Sequence, residues 1–599
     1  METEKGSLSV QTENIFPVIK RWLYSDKDIF IREAVSNAAD AITKLKRLVS
    51  LAQAEVEDDA YSIDVTLNRD AKTITIADNG IGMTREEVDR YINQIALSGA
   101  LDFISKYESE GDASKEGIIG HFGLGFYSVF MVSDRVEMKT RSYTGEAAVA
   151  WSCDESGRYE MNEGDKSSRG TELVLHVTED ELGYLDTGRF RTILEKYCGF
   201  MPYPIYLSDG GEPEQVNDTE PLWQKNASDL MAEQYAAFYK KVFGDYADPL
   251  FYVHINADYP LNFKGILYFP KPKGVYESVE PMIKLFYNSV FVADNIREVV
   301  PDFIPCLRGV LDCPELPLNV SRSYLQSDAY VRKVAAHIVK KVADKLCALF
   351  NNDRAGFEGI WNDVRPYIEY GCMRDEKFYD RVKDVMLFKD TDGGFATVSE
   401  YLDGAEEGTL YYASEGEKQG YYIELYKAKG RRVLLLDKLM DTQFIQFIES
   451  KNEKLKFARV DADVEALGEK AEDNAALAEL FRKAAGREDL TVSFASVEDG
   501  APAFLRVSEE SRRMADMLRM YTRGGESELP VGEELVVNLK NRYVEALLNR
   551  LSDGEKESVC TLAAKQIYMS ALLLARNLTE PEQKMFAELS DGLLGTLIS

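Results

Sequence analysis

The stretch YSIDVTLNRDAKTITIADNGIGM, residues 61–83, constrains the fold more tightly than any other part of the chain. Ile63, Val65 and Leu67 alternate with polar residues, NRDAK turns the chain, and Ile74 and Ile76 resume the alternation. Period-two patterning of this kind predicts an antiparallel hairpin with one apolar face. Asp78 shares the parity of Ile74 and Ile76, so it falls on that apolar side, where a carboxylate is costly unless groups donate hydrogen bonds to it. Gly80 and Gly82 follow at once, and glycine permits tight turns and close approach of the backbone to a ligand. Such an Asp either caps local amides or receives the exocyclic amino group of a planar base.

Upstream lies IREAVSNAADA, residues 31–41. At about 3.6 residues per turn, Glu33, Asn37 and Asp40 share one helix face, while Ile31, Val35, Ala38 and Ile42 take the other. Taken alone, the polar face is either solvated or chemical. Downstream, in IGHFGLGFYSVF, Gly120, Gly123 and Gly125 open an apolar helical pattern. Glycines before a helix leave backbone amides able to cradle phosphates. The spacing is not that of a Walker A loop, and no clean strand precedes it as a dinucleotide fingerprint requires. In RGTELVLHV, Thr171 is in phase with Leu173, Leu175 and Val177, which turns its hydroxyl toward an inward face.

A chain of 599 residues exceeds a single core and predicts three or four domains. Residues 1–207 mix helical patterns (15–49, 84–107) with alternating strands, and SDGGEPEQVNDTEP, 208–221, reads as a short linker. A second segment, 222–485, is interrupted near 390, and a third, 486–599, ends in about sixty strongly helical residues. There Ile567, Ala571, Leu574 and Leu578 form one apolar stripe, and Phe586, Leu589, Leu593 and Leu597 another. Such stripes need a partner surface, in their own domain or on a second copy. Composition excludes several classes. With 45% hydrophobic and 29% charged residues the chain is globular, and a net charge of −31 opposes non-specific binding to nucleic acid. Seven cysteines without C-x-x-C pairs imply neither a disulfide framework nor a zinc site. The polar, charged start METEKGSLSVQTEN is no signal peptide, and the longest strongly apolar run, ALLLA at 571–575, is short for a membrane span. A cytoplasmic location is expected.

The order E-x-x-x-N-x-x-D, D-x-G-x-G, G-x-F-G-x-G-F, G-T resembles the signature of the GHKL nucleotide-binding fold. That fold is shared by gyrase-type topoisomerases, MutL, sensor histidine kinases and the heat-shock protein 90 chaperones. Among these the sequence is most similar to heat-shock protein 90 of the bacterial HtpG type. The likeness is dense in LYSDKDIFIREAVSNAADAITKL, IADNGIGMT and IGHFGLGFYSVFMVSD, continues through PLWQKNASDLMAEQYAAFYKKVFGDYADPL and GVLDCPELPLNVSRSYLQ, and thins after about 330. It implies an α+β chain: an N-terminal GHKL (Bergerat) α/β sandwich, an α/β middle domain that binds clients, and a mainly helical C-terminal dimerisation domain.

The resemblance also implies roles. Glu33 would be the general base toward water, Asn37 a ligand of Mg²⁺, and Asp40 an organiser of the same pocket. Asp78, with Gly82, Met83 and Thr171, would hold the adenine of ATP. The backbone of Gly120, His121, Phe122, Gly123, Leu124, Gly125 and Phe126 would hold the phosphates. From the second domain, Arg322 would meet the γ-phosphate, with Gln326 one turn on. The segment 93–120 would be a lid over bound nucleotide. The chain departs from the family pattern at Tyr91, Asn93, Gln94, Leu97 and His121, and at Asn288 and Ser289, where paired Arg is usual. The implied function is ATP-dependent remodelling of partly folded client proteins by a homodimer, without nucleic acid or membrane as partner. The alternatives are a DNA-acting GHKL ATPase of the gyrase or MutL kind, a sensor histidine kinase, and a scaffold that binds nucleotide without hydrolysing it.

Overall fold

The computed structural model describes residues 26–598 except 57–59, 96, 101, 104–117, 121–122, 273–281, 295–298, 300–306, 316–328, 405–407, 415–418, 437–438, 463–467, 499, 509–510, 512, 514–531 and 553–556. Arg322, Gln326, His121 and Phe122, named above as candidate site residues, lie outside the described residues, as does most of the lid segment. The chain divides into two compact units, Met1–Val342 and Ala343–Ser599.

In the first unit, α1 (Ile29–Ser50) carries the IREAVSNAADA face. The predicted hairpin is β1 (Ile63–Asn68) and β2 (Thr73–Asp78), with Val65 opposite Ile76 and Leu67 opposite Ile74. A short helix, α2 (Arg85–Tyr91), starts at a capping box in which Thr84 and Glu87 satisfy each other's backbone amides. The helical pattern expected over 84–107 is broken after Tyr91, and among the described residues 99–100 and 102–103 are helical again. Ile92 caps the helix, and Asn93 accepts a hydrogen bond from the Trp151 indole at 2.9 Å instead of continuing the turn.

Next come β3 (Ser133–Arg141), β4 (Val149–Asp154), β5 (Tyr159–Glu163), β6 (Gly170–Val177), α3 (Thr187–Cys198), β7 (Ile205–Ser208) and β8 (Glu214–Gln215). They complete an eight-stranded sheet in the order β5-β4-β3-β6-β2-β1-β7-β8, antiparallel except at β1–β7. Ile31, Val35 and Ile42 of α1 and Phe190 and Leu194 of α3 share one core with Ile63, Val65, Ile76 and Leu175 of the sheet. Each such buried aliphatic side chain contributes about 1.5–3 kcal/mol. The core lies on one face of the sheet, so the polar face of α1 is left to line a site.

The stretch 208–221, read as a linker, is held against this sheet. Asn217 donates to the carbonyls of Met201 and Tyr203 at 2.9 and 2.7 Å and accepts from the Ile205 amide at 2.8 Å. Beyond it, α4 (Ala232–Phe243) covers a five-stranded sheet of β9 (Phe251–Ala257), β10 (Phe263–Phe269), β11 (Met282–Tyr287), β12 (Val290–Asp294) and β13 (Arg308–Asp312), ordered β12-β11-β13-β10-β9. Aromatic rings join the two sheets: Phe200 meets Trp223 at 4.8 Å and Phe286 at 5.5 Å, and Tyr197 meets Phe291 at 5.7 Å.

The second unit has its own order. The helices Arg354–Arg374 and Glu376–Val382 lead into three parallel strands, Gly408–Ser414 between Val433–Leu436 and Leu455–Arg459, interleaved with the helices Gly420–Ala428 and Leu439–Lys451. A four-stranded sheet follows, with the helices Ala475–Ala485, Arg542–Ser552, Glu557–Ala575 and Glu580–Ile598. The boundary expected at 485/486 lies between Ala475–Ala485 and the strand Thr491–Ser496, and both contribute to one core. Ser558–Ala575 has the length and apolar composition of a membrane span, more than the ALLLA run suggested. Its Cys560, Ala564, Tyr568 and Leu572 are buried in that core.

Candidate functional site

The polar face of α1, the end of β2, the start of β6 and the glycine-rich stretch enclose a cavity of about 400 Å³. Pockets for nucleotide-sized ligands fall at roughly 300–1,000 Å³. The helical spacing that puts Glu33, Asn37 and Asp40 on one face brings all three to its wall, which they share with Asp78, Gly82, Met83 and Thr171 and with Gly120, Gly123, Gly125 and Phe126. Leu124 precedes the short 3₁₀ helix Gly125–Met131 that the apolar pattern forms, in place of the α-helix expected there.

Glu33 is 7% exposed. Its Oε1 accepts from Nε and Nη2 of Arg32 at 3.0 and 2.8 Å. Its Oε2 lies on the other side, where a Cβ on Gly125 would sit 2.4 Å away. Glycine at 125 therefore makes room for the carboxylate at the cavity wall. Asn37, one turn on, is exposed and presents a neutral amide oxygen to the same space. Asp40 is buried, and its two oxygens accept from the Ile119 and Gly120 amides, each at 2.7 Å. That pins the entry to the glycine-rich stretch onto α1.

At the other end, Asp78 and Thr171 are direct cross-strand partners on β2 and β6. Burial raises the Asp78 carboxyl to about 7, against hydrogen bonds from the Gly80 and Thr171 backbone that favour its charged form. Gly80 Nα donates to Asp78 Oδ1 at 2.8 Å. The glycines after it are required by contacts: a Cβ on Gly80 would lie 2.6 Å from the Ala41 carbonyl carbon. On Gly82, at φ +62°, it would lie 1.8 Å from the Arg141 oxygen. The turn is thus held between α1 and β3. Its middle is tied by Ile81 N to Ala41 O at 3.1 Å and Tyr143 N to Ile81 O at 2.9 Å.

Two groups at the site escape the sequence reading, one behind the cavity wall and one in it. Thr140 is fully buried, accepts from the Met83 amide at 3.0 Å and bonds the Thr171 hydroxyl at 3.0 Å. Its phase with Val136 and Met138 was the available signal. Lys44 follows Asp40 by four residues and lines the cavity. Burial lowers its pKa while the charges of Asp40 and Glu87 oppose the shift. The i, i+4 extension of the face Glu33–Asn37–Asp40 pointed to it. Among the departures from the family pattern, Tyr91 lines the cavity and donates to Asp102 Oδ2 at 3.1 Å, and Leu97 is exposed at its mouth.

Comparison with known proteins agrees over both halves of the chain. Residues 209–598 match the family described as Hsp90 protein. Residues 30–183 match that described as histidine kinase-, DNA gyrase B-, and HSP90-like ATPase. The chaperone protein htpG of Bacteroides fragilis (strain YCH46) is 41% identical over 97% of this chain and 89% of its own length. The chaperone protein HtpG of Porphyromonas gingivalis (strain ATCC BAA-308 / W83) is 42% identical over 93% and 85%. That of Desulfitobacterium hafniense (strain Y51) is 28% identical over 99% of both chains.

Proposed function

This chain belongs to the Hsp90 protein family, and on that premise we propose that it is an ATP-hydrolysing chaperone whose nucleotide site is the cavity under α1. The ATPase-like match alone is shared with gyrase B and histidine kinases, but the match over 209–598 is to Hsp90, which sets the DNA-acting alternative aside. The observation that carries the nucleotide site is convergence. A base-recognising end, Asp78 with Thr171, and a phosphate-receiving end, Asn37 with the glycine-rich backbone, open into one cavity.

In this reading Asp78 accepts the adenine amino group, and Gly82, Met83 and Thr171 shape the slot around the ring. Backbone amides from His121 to Phe126 would receive the phosphates, with Gly120, its own amide held by Asp40, setting the entry to that stretch. Glu33 takes the proton of the attacking water. Its Oε2 faces the cavity side while Arg32 orients the carboxylate from behind. Both Asp40 oxygens are engaged by amides, which leaves the Asn37 oxygen as the protein donor suited to a magnesium ion. A hydrated Mg²⁺ carried on phosphates needs only one or two such protein oxygens. When bound, the ion would neutralise charge developing on the phosphates. Arg322, with Gln326 four positions on in the sequence, would supply the cation that a base and a metal do not. Hydrolysis then depends on the second domain.

The relatives' names supply the chaperone activity, so the substrates are partly folded proteins. Exposed apolar side chains on the last helix, Leu594 at 55% and Ile598 at 82%, support assembly of a homodimer through the terminal helices. The free thiols of the described cysteines suit a reducing cytoplasm.

The test compares steady-state ATP turnover of wild type, Glu33→Ala and Glu33→Gln with calorimetric ADP binding by each. Turnover should fall about 10²–10⁴-fold with ADP affinity kept. Equal turnover in all three would remove Glu33 as the base. Turnover absent from wild type, with ADP bound, would establish the non-hydrolysing scaffold.

A further inference from the structure

The two-residue turn joining β11 to β12, Asn288 and Ser289, reaches the backbone two residues before Gly120, which lines the cavity. Both residues have positive φ, +49° and +63°, the geometry of a tight hairpin turn whose twist matches its strands. Ser289 anchors the turn from behind. Its amide and hydroxyl donate to Asp312 Oδ2 at 3.0 and 3.1 Å, and the same buried oxygen accepts from the side chains of Trp223 and Gln224, each at 3.3 Å. Asn288 is thereby held facing outward from the second sheet. Its Nδ2 donates to the carbonyl oxygen of Ile118 at 3.2 Å.

That carbonyl belongs to the same peptide group as the Ile119 amide, which donates to Asp40 Oδ1 at 2.7 Å. One peptide unit thus bridges Asn288 and Asp40, gripped at its oxygen by the second sheet and at its nitrogen by α1. The next amide, Gly120, holds the other Asp40 oxygen. A donor on the carbonyl polarises the peptide and strengthens its N–H as a donor, so the two contacts reinforce each other. Asp40 and Gly120 both line the cavity.

We propose that Asn288 is a positioning residue for nucleotide binding. It fixes the 118–119 peptide, and through it the Asp40–Gly120 contact, so that affinity in the first sheet's cavity is set in part by a turn of the second. The inference rests on the cavity being the nucleotide site. It concerns a position where this sequence departs from the paired Arg usual in the family, so the contact belongs to this chain's own residues.

Two full-length variants separate positioning from mere folding. Asn288→Gly removes the amide while keeping the positive φ unstrained. Asn288→Asp keeps the tolerance for that φ but turns the donor into an acceptor facing a carbonyl. ADP affinity by calorimetry, KM and kcat for ATP, thermal midpoint without nucleotide, and hydrogen exchange at the Ile119 and Gly120 amides are read for each. The expected result is a Kd and KM raised about threefold to tenfold for Gly, and further for Asp, as loss of one hydrogen bond predicts. Exchange at the two amides quickens, kcat at saturation stays within about twofold, and the nucleotide-free midpoint is unchanged. Wild type binding ADP with both variants identical to it would overturn the inference alone. A lowered midpoint without a change in Kd would also overturn it, reducing Asn288 to a structural turn residue. Wild type failing to bind ADP would overturn the nucleotide reading, and this inference with it.

Discussion

Burial lifts the Asp78 carboxyl to about 7, and the sign of the effect on stability follows. The folded protein retains a proton between about pH 4 and 7 that the unfolded chain releases, so stability falls as pH rises through that window, and the full penalty stands above it. Asp78→Asn removes the penalty. The nucleotide-free variant should melt about 2–4 °C higher than wild type at pH 8, with the gap closing by pH 4 in a calorimetric pH series. The same variant should bind ADP about tenfold to a hundredfold more weakly, because a charged acceptor is lost. A midpoint gap that does not change with pH would contradict the account. Asp78 and Thr171 were legible in the sequence because a period of two assigns faces without knowledge of the partner strand. Thr140 and Lys44 obey the same periodicities but were overlooked, since a hydroxyl or an ammonium in phase with apolar or acidic neighbours is ordinarily read as filler or solvated charge.

Between β2 and α2 the chain has no freedom. Residues 79–83 are stitched to α1 through Ile81 and Ala41, and to β3 through Met83, Thr140 and the Arg141 carbonyl against Gly82. Gly82→Ala sets a methyl against backbone that cannot withdraw and leaves an L-residue at φ +62°. It should cost more than about 2 kcal/mol in urea unfolding and abolish ADP binding. A variant of wild-type stability would mean that the turn yields. The type of each element here was readable from periodicity, whereas helix ends were not. The expected helix over 84–107 is interrupted after Tyr91, where Asn93 accepts from Trp151, nearly sixty residues away, and 99–100 and 102–103 are helical again. The contact between Asn288 and Ile118 spans 170 residues, and no local pattern announces it.

At the scale of the whole chain, the first two sheets share aromatic packing through Phe200, Trp223 and Phe286. The polar composition of 208–221 reads as a short linker. Composition registers polarity but not that Asn217 spends its amide on three backbone groups. We propose that the homodimer closes on ATP and reopens after hydrolysis, a shape cycle that makes a prediction at this scale. Small-angle scattering should report a particle of twice the chain mass, with a radius of gyration that falls when a non-hydrolysable ATP analogue is added. A monomer, or a dimer indifferent to nucleotide, would refute the cycle. With Glu33 as the base, its buried ion pair with Arg32 decides where the carboxylate points. Two guanidinium nitrogens hold the same oxygen, so the acid group is aimed before any fuel arrives and no orienting of it remains for turnover.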